Sequence, residues 1–122
     1  MLNSYVALDI ETTGLVRFED EVNLFGFGND QVQYIIPLEA PLSPLRGMRL
    51  AQRKLIITAI NWLNKNALDL VAGNGKFDDL FLEYRFGVKP HITFDVVLAS
   101  HILNENTPNG VKENAVMECN AF

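Results

Sequence analysis

Asp9 and Glu11 stand two residues apart at the end of an apolar run, Tyr5-Val6-Ala7-Leu8-Asp9-Ile10-Glu11, immediately before Thr12-Thr13-Gly14-Leu15. Side chains of a strand alternate between faces, so positions 9 and 11 project to one side, close enough to share a divalent cation or to hold two neighbouring ones. Ile10 then points back into the core. Carboxylates are hard oxygen donors, and the chemistry open to such a pair is coordination of Mg²⁺ or Mn²⁺. An Asp-x-Glu arises readily by chance among 15 acids in 122 residues. Acids at strand ends are ordinarily solvated, so the pair alone specifies little. A second segment, Leu70-Val71-Ala72-Gly73-Asn74-Gly75-Lys76-Phe77-Asp78-Asp79, reads as a short strand, a glycine turn and the start of an amphipathic helix, with Asp78 in the helix's first turn. A carboxylate there is favoured by the helix dipole whatever its role, and Asn74 is a residue type suited to cap the helix.

The elements that must position these acids follow from hydrophobic period and turn chemistry. A run that is apolar on both faces reads as a central strand, from about Ser4 to Ile10, at the edge of which the acids sit. Val22 to Gly28 and Gln31 to Pro37 read as a hairpin about Gly28-Asn29-Asp30. Leu38 to Gly47 contains Pro41 and Pro44 and reads as an irregular connection. A helix covers roughly Arg49 to Asn64, with Ile56, Ile60 and Leu63 on one face. Asp69 to Gly73 is the next strand and Lys76 to Phe86 the next helix, stopped by Gly87. Thr93 and Phe94 are extended, and Asp95 caps a helix to about Asn104. Three strands in meander followed by helix and strand alternation define an α/β domain with a mixed sheet and flanking helices, one domain over residues 1–122.

Composition narrows the function classes. At 48% hydrophobic and 20% charged residues the chain is globular, with no apolar run long enough to cross a bilayer. No secretion signal precedes Asp9, and Cys119 is the only cysteine, which suits a reducing cytosol. The formal charge of −5 argues against a general duplex binder, which ordinarily carries a basic surface. A metal-dependent nuclease escapes that objection, because bound cations compensate its carboxylates and also meet the phosphate. Arg46, Arg49, Arg53 and Lys54 gather near one helix start and read as an ordinary solvated face. Phe77 and Phe81 read as core, and His101 as a partly buried residue on an apolar helix.

Taken together, Ala7 to Leu15 resembles the first motif of the DEDD superfamily of 3′-to-5′ exonucleases, and Asn74-Gly75-Lys76-Phe77-Asp78 resembles its second. The likeness points to the proofreading domain of family A DNA polymerases. It extends through Ile92 to Leu103 and to Asn109-Gly110-Val111-Lys112-Glu113-Asn114-Ala115, which is similar to the start of the family's next helix. Two ordered motifs at a fitting separation are far more specific than either alone. The resemblance implies a ribonuclease H-like fold.

The resemblance also implies two-metal hydrolysis of a phosphodiester, with Mg²⁺ or Mn²⁺ ions about 4 Å apart supplying a hydroxide near neutral pH and stabilising the leaving oxygen. Asp9 would bridge both metals, Glu11 would bind one and contact the terminal 3′ hydroxyl, and Asp78 would hold a metal through water. Leu15 matches the position that wedges beside the terminal base, Thr12 the place where the backbone meets the terminal nucleotide, and Asn74 a residue near the penultimate phosphate. The expected substrate is a single-stranded DNA 3′ end, released as nucleoside monophosphates. A ribonuclease D type exoribonuclease shares both motifs, and a non-catalytic binding remnant is the alternative from another class. One departure weighs against full activity. The family's third motif, a Tyr or His with a fourth carboxylate, is missing: no Asp follows Asp95 and no Tyr follows Tyr84. Glu105, Glu113 and Glu118 lack its context. The chain therefore reads as ending early, with activity impaired. Apolar surface along the sheet or the Ala99 to Leu103 helix would then be exposed, favouring a homo-oligomer or contact with the remainder of a polymerase.

Overall fold

A computed structural model describes residues 5–40, 44, 46–67 and 69–103. The elements run β1 (Tyr5–Thr12), β2 (Val22–Gly28), β3 (Gln33–Pro37), α1 (Arg46–Asn66), β4 (Asp69–Ala72), α2 (Gly75–Phe86), β5 (Phe94–Asp95) and α3 (Val96–Leu103). The sheet order is β3-β2-β1-β4-β5. β1 pairs antiparallel with β2 and parallel with β4, and β4 pairs parallel with β5. This mixed five-stranded sheet is the expected ribonuclease H-like arrangement, with β1 at its centre. The hairpin strand β3 starts two residues later than expected, because Asn29 Oδ1 accepts the backbone N–H of Gln31 and Val32 and builds a longer turn. α1 is longer at both ends than its apolar periodicity suggested. The expected helix start at Asn109 to Ala115, the Asn104 helix end, the Ser4 strand start and part of the 38–47 connection lie outside the described residues.

The even positions of β1, Val6, Leu8 and Ile10, are buried, and they meet Phe25 and Ile36 from the hairpin. Ile56, Ile60 and Leu63 of α1 are fully inaccessible, as their shared helical face requires, and Phe81, Leu82 and Phe86 of α2 complete the core. Phe77 packs against it from the side. This single apolar core holds β1 and α2, the two elements that carry the acids, in a fixed relation.

The other face of the sheet corrects an expectation. β1 is apolar on both sides, yet its odd positions Tyr5, Ala7 and Asp9 are exposed rather than buried. Centrality in the sheet satisfied the backbone of β1 without covering its second face. Ile35 on β3 is 65% exposed, and α3 buries none of its residues, leaving Leu98, Ile102 and Leu103 accessible. His101 on α3 is likewise exposed, not partly buried. An open cleft of roughly 550 Å³ lies along this face, between Tyr5, Ala7 and Asp9 of β1, Gly26 and Gly28 of β2, and Val71 and Val96.

Candidate active site

Asp9 and Glu11 emerge on the open face of β1, and Asp78 arrives from the first turn of α2 at the end of the neighbouring parallel strand. Their environments differ. Asp78 is 3% exposed, the only buried acidic residue among those described, and its Oδ2 has no hydrogen-bond partner among the described residues. Loss of hydration, then repulsion from Asp9, with smaller contributions from Asp79, Asp95 and Glu11, raises its carboxyl to about 8. Asp9 is also raised, first by partial loss of hydration and then by the charge of Glu11, against a backbone hydrogen bond at Ile10. The two motifs, 69 residues apart in sequence, therefore share one electrostatic field.

The loop after β1 is held by side chains that sequence reasoning passed over. Asp20 accepts from the Thr13 hydroxyl at 3.2 Å and from the Val16 N–H at 2.9 Å. Thr13 also donates its N–H to the Glu21 carbonyl and accepts the Glu21 N–H at its hydroxyl. A Cβ at Gly14 would collide with the Asp20 carboxylate and push it from the position in which it holds Thr13 and Val16. Thr12 turns its hydroxyl onto the Gly14 carbonyl at 2.6 Å. The result is a stiff tip that presents Leu15, 83% exposed, beyond Glu11.

Asn74 corrects a second expectation. It occupies the N-cap position of α2 in the left-handed conformation, φ 60° and ψ 50°, and its side chain caps nothing. A residue in that conformation cannot turn its side chain onto the N–H groups of the first turn as a β-region cap does. Asp95 supplies the acceptors instead, taking N–H bonds from Asn74 at 3.0 Å and from Gly75 at 2.7 Å. Its expected capping of α3 holds as well, through Val97 and Leu98. The signal for the second role was invisible in sequence, because it joins positions 20 residues apart.

Two of the basic residues near the start of α1 are engaged by the fold. Arg49 pairs with Glu21 at 2.8 Å, and Arg53 lies over the Phe86 ring at 4.9 Å. These two arginines are tied into the fold rather than standing on the freely solvated face expected for the cluster.

Three carboxyl groups supply hard oxygens, and the buried Asp78 Oδ2 is an orphaned oxygen donor of the kind a divalent cation satisfies by displacing the proton. Yet among the described residues no three His, Cys, Asp or Glu side chains converge as a coordination cage. The donors fit a hard cation in type, without a preformed cage.

A five-stranded mixed sheet with acids from β1 and α2 gathered at one edge defines a nuclease-type α/β domain. Residues 1–112 match the family of 3′-5′ exonuclease domains found in A-type DNA polymerases. The chain is 36% identical over 101 residues to DNA polymerase I of Aquifex aeolicus (strain VF5), covering 81% of this chain and 14% of that protein. It belongs to the 3′-5′ exonuclease family of the DEDD superfamily. Among solved structures, a nuclease in its apo form superposes with a TM-score of 0.72 at 22% identity, over 97% of this chain and 53% of that one. Brucella melitensis NrnC bound to pGG gives 0.69 at 22%, and NrnC with bound Mg²⁺ gives 0.66 at 20%, over 53% and 54% of those chains. At such identities the likeness is one of fold. The chain spans about half the length of these structures and a small part of the polymerase.

Proposed function

We propose that this chain is the catalytic-edge portion of a 3′-to-5′ exonuclease that trims single-stranded DNA ends to nucleoside monophosphates, with Asp9, Glu11 and Asp78 as its metal-binding and catalytic carboxylates. The observation that carries the reading is the buried, unpartnered Asp78 carboxyl in the field of Asp9 and Glu11, where the family's two motifs meet. Mg²⁺ or Mn²⁺, when bound by these oxygens, supplies an activated water and neutralises charge on the phosphate. Glu11, at the outer end of β1, is placed to meet the terminal 3′ hydroxyl. Leu15 at the exposed tip packs beside the terminal base, and the Thr12 backbone orients the nucleotide. The Asn74 side chain, free of any capping duty, is available to a phosphate one step back along the strand. DNA is favoured over RNA by the DNA polymerase I relative.

The partners proposed are the 3′ end itself and, on the open sheet face, further protein. Tyr5, Ile35, Leu98 and Ile102 expose enough apolar surface to drive self-association of the 122-residue chain, and a monodisperse monomer in light scattering at high concentration would count against it.

A second reading has one observation in its favour. No described trio of acids forms a cage, which suits a module that binds a 3′ end without cutting it. Degradation of 5′-labelled single-stranded DNA with Mg²⁺ or Mn²⁺ separates the two, beside an EDTA control and Asp9→Ala. The expected result is slow, metal-dependent shortening from the 3′ end that Asp9→Ala abolishes. Retained strand binding with no shortening at enzyme excess would overturn the catalytic reading in favour of the binding module.

A further inference from the structure

The turn that delivers Asp78 has unusual demands. Asn74 sits in the left-handed region, Gly75 is so tightly enclosed that an added Cβ would lie 2.8 Å from Ile92 Cδ1, and the first N–H groups of α2 have no local cap. The N–H groups of Asn74 and Gly75 are taken by one residue at the end of β5. Asp95 Oδ2 takes the Gly75 N–H at 2.7 Å, while Oδ1 takes those of Asn74 at 3.0 Å, Val97 at 2.9 Å and Leu98 at 3.1 Å. Four N–H groups thus converge on one carboxylate. Burial alone would raise Asp95, but these four hydrogen bonds outweigh it and hold the carboxyl below its ordinary range, so it stays ionised.

We propose that Asp95 is a positioning residue for cation binding: by clamping the Asn74-Gly75 turn to the start of α3, it sets the height and rotation of α2 that bring Asp78 to Asp9 and Glu11. The inference rests on the reading of those three acids as metal ligands and deepens it. The argument is geometric. Asp78 lies three residues beyond Gly75 on the same helix, so any rotation or fraying of the first turn moves its carboxyl directly; the Asn74 side chain caps nothing there, and inside the turn the Phe77 N–H donates to the Asn74 carbonyl at 3.1 Å. A metal site tolerates little such error, because ligands held loosely lose affinity even when all are present.

The division of labour between the two oxygens provides a selective cut. In Asp95→Asn the retained Oδ1 still serves Asn74, Val97 and Leu98, while the amide nitrogen faces the Gly75 N–H and cannot accept from it. The cap of α3 survives, and of the two clamp bonds the shorter one, to the first residue of α2, is lost. Thr93→Val is the comparison, because the Thr93 hydroxyl accepts from Leu70 N at 3.1 Å and donates to Asp69 Oδ1, tying β4 to the segment entering β5 without touching the turn. Mn²⁺ binding is measured by titration calorimetry on the full 122-residue chain and on Asp95→Asn, Thr93→Val and Asp78→Asn, with urea denaturation of each in EDTA. The expected result is a roughly tenfold or greater loss of Mn²⁺ affinity in Asp95→Asn, with Thr93→Val binding like the parent at a similar loss of stability. Equal affinity in Asp95→Asn and the parent, or an equal loss in Thr93→Val, would overturn the positioning role while leaving the ligands in place. Mn²⁺ binding to the parent that is insensitive to Asp78→Asn would instead overturn the ligand reading, and the clamp's role with it. If Asp95→Asn fails to fold, Gly75→Ala in a parallel titration displaces the same turn from within and is expected to weaken Mn²⁺ in the same way; unchanged affinity there would overturn the proposal.

Discussion

Replacing Asp78 by Asn should make the metal-free protein more stable at alkaline pH, against the usual cost of altering a buried residue. The folded chain holds the Asp78 carboxyl at about 8, against 3.8 for the free group. Below pH 3.8 folded and unfolded chains both carry the proton. Between 3.8 and 8 unfolding releases it, so stability falls as pH rises through that window, and above 8 the loss is complete. A displacement of about four pH units corresponds to roughly 5 kcal/mol in total, and about 4 kcal/mol of it falls between pH 5 and pH 8. Asn is close in shape, neutral throughout, and relieves Asp9 of a neighbouring charge. Urea denaturation in EDTA at pH 5 and pH 8.5 measures the effect. With a slope near ~1.5 kcal/mol/M for a domain of this size, the midpoint difference between Asp78→Asn and the parent should widen by about 2 to 3 M in favour of the variant. Parallel pH dependences in the two proteins would refute the argument that burial and repulsion hold Asp78 neutral.

The same proton couples to cation binding. Mg²⁺ should displace it, so the cation's thermal stabilisation should grow as pH rises toward 8, and calorimetry in buffers of different ionisation enthalpy should register the released proton. A pH-independent response would exclude Asp78 as a ligand. Gly75→Ala should destabilise by about 1 to 3 kcal/mol through overpacking against Ile92, read as a urea midpoint shift. Leu15→Ala should change stability by no more than about 0.5 kcal/mol, since the side chain is 83% exposed, while raising KM for a single-stranded 3′ end. A large stability loss there would make Leu15 a packing residue.

Much of the arrangement is legible in the linear chain because its causes are local. Alternation placed Asp9 and Glu11 on one face and Ile10 in the core, and the 3.6-residue period placed Ile56, Ile60 and Leu63 together. Glycine turns marked the entry and exit of α2, where Gly87 takes the left-handed conformation at φ 73°. Two ordered motifs carry the family resemblance in the linear chain alone. What sequence could not reveal arises between segments. The open second face of β1 depends on which elements cover it, and an apolar strand reads the same covered or bare. Asn74 has the residue type of a cap and does not act as one, because its backbone conformation aims the side chain away and a carboxylate from β5 takes the work. Asp20 locks the Leu15 tip through contacts that no spacing announces. The charge state of Asp78 is likewise a property of the folded molecule. An aspartate in a helix's first turn is ordinarily ionised, and only the packing of α2 against β1, which strips its water and brings Asp9 near, makes it hold a proton.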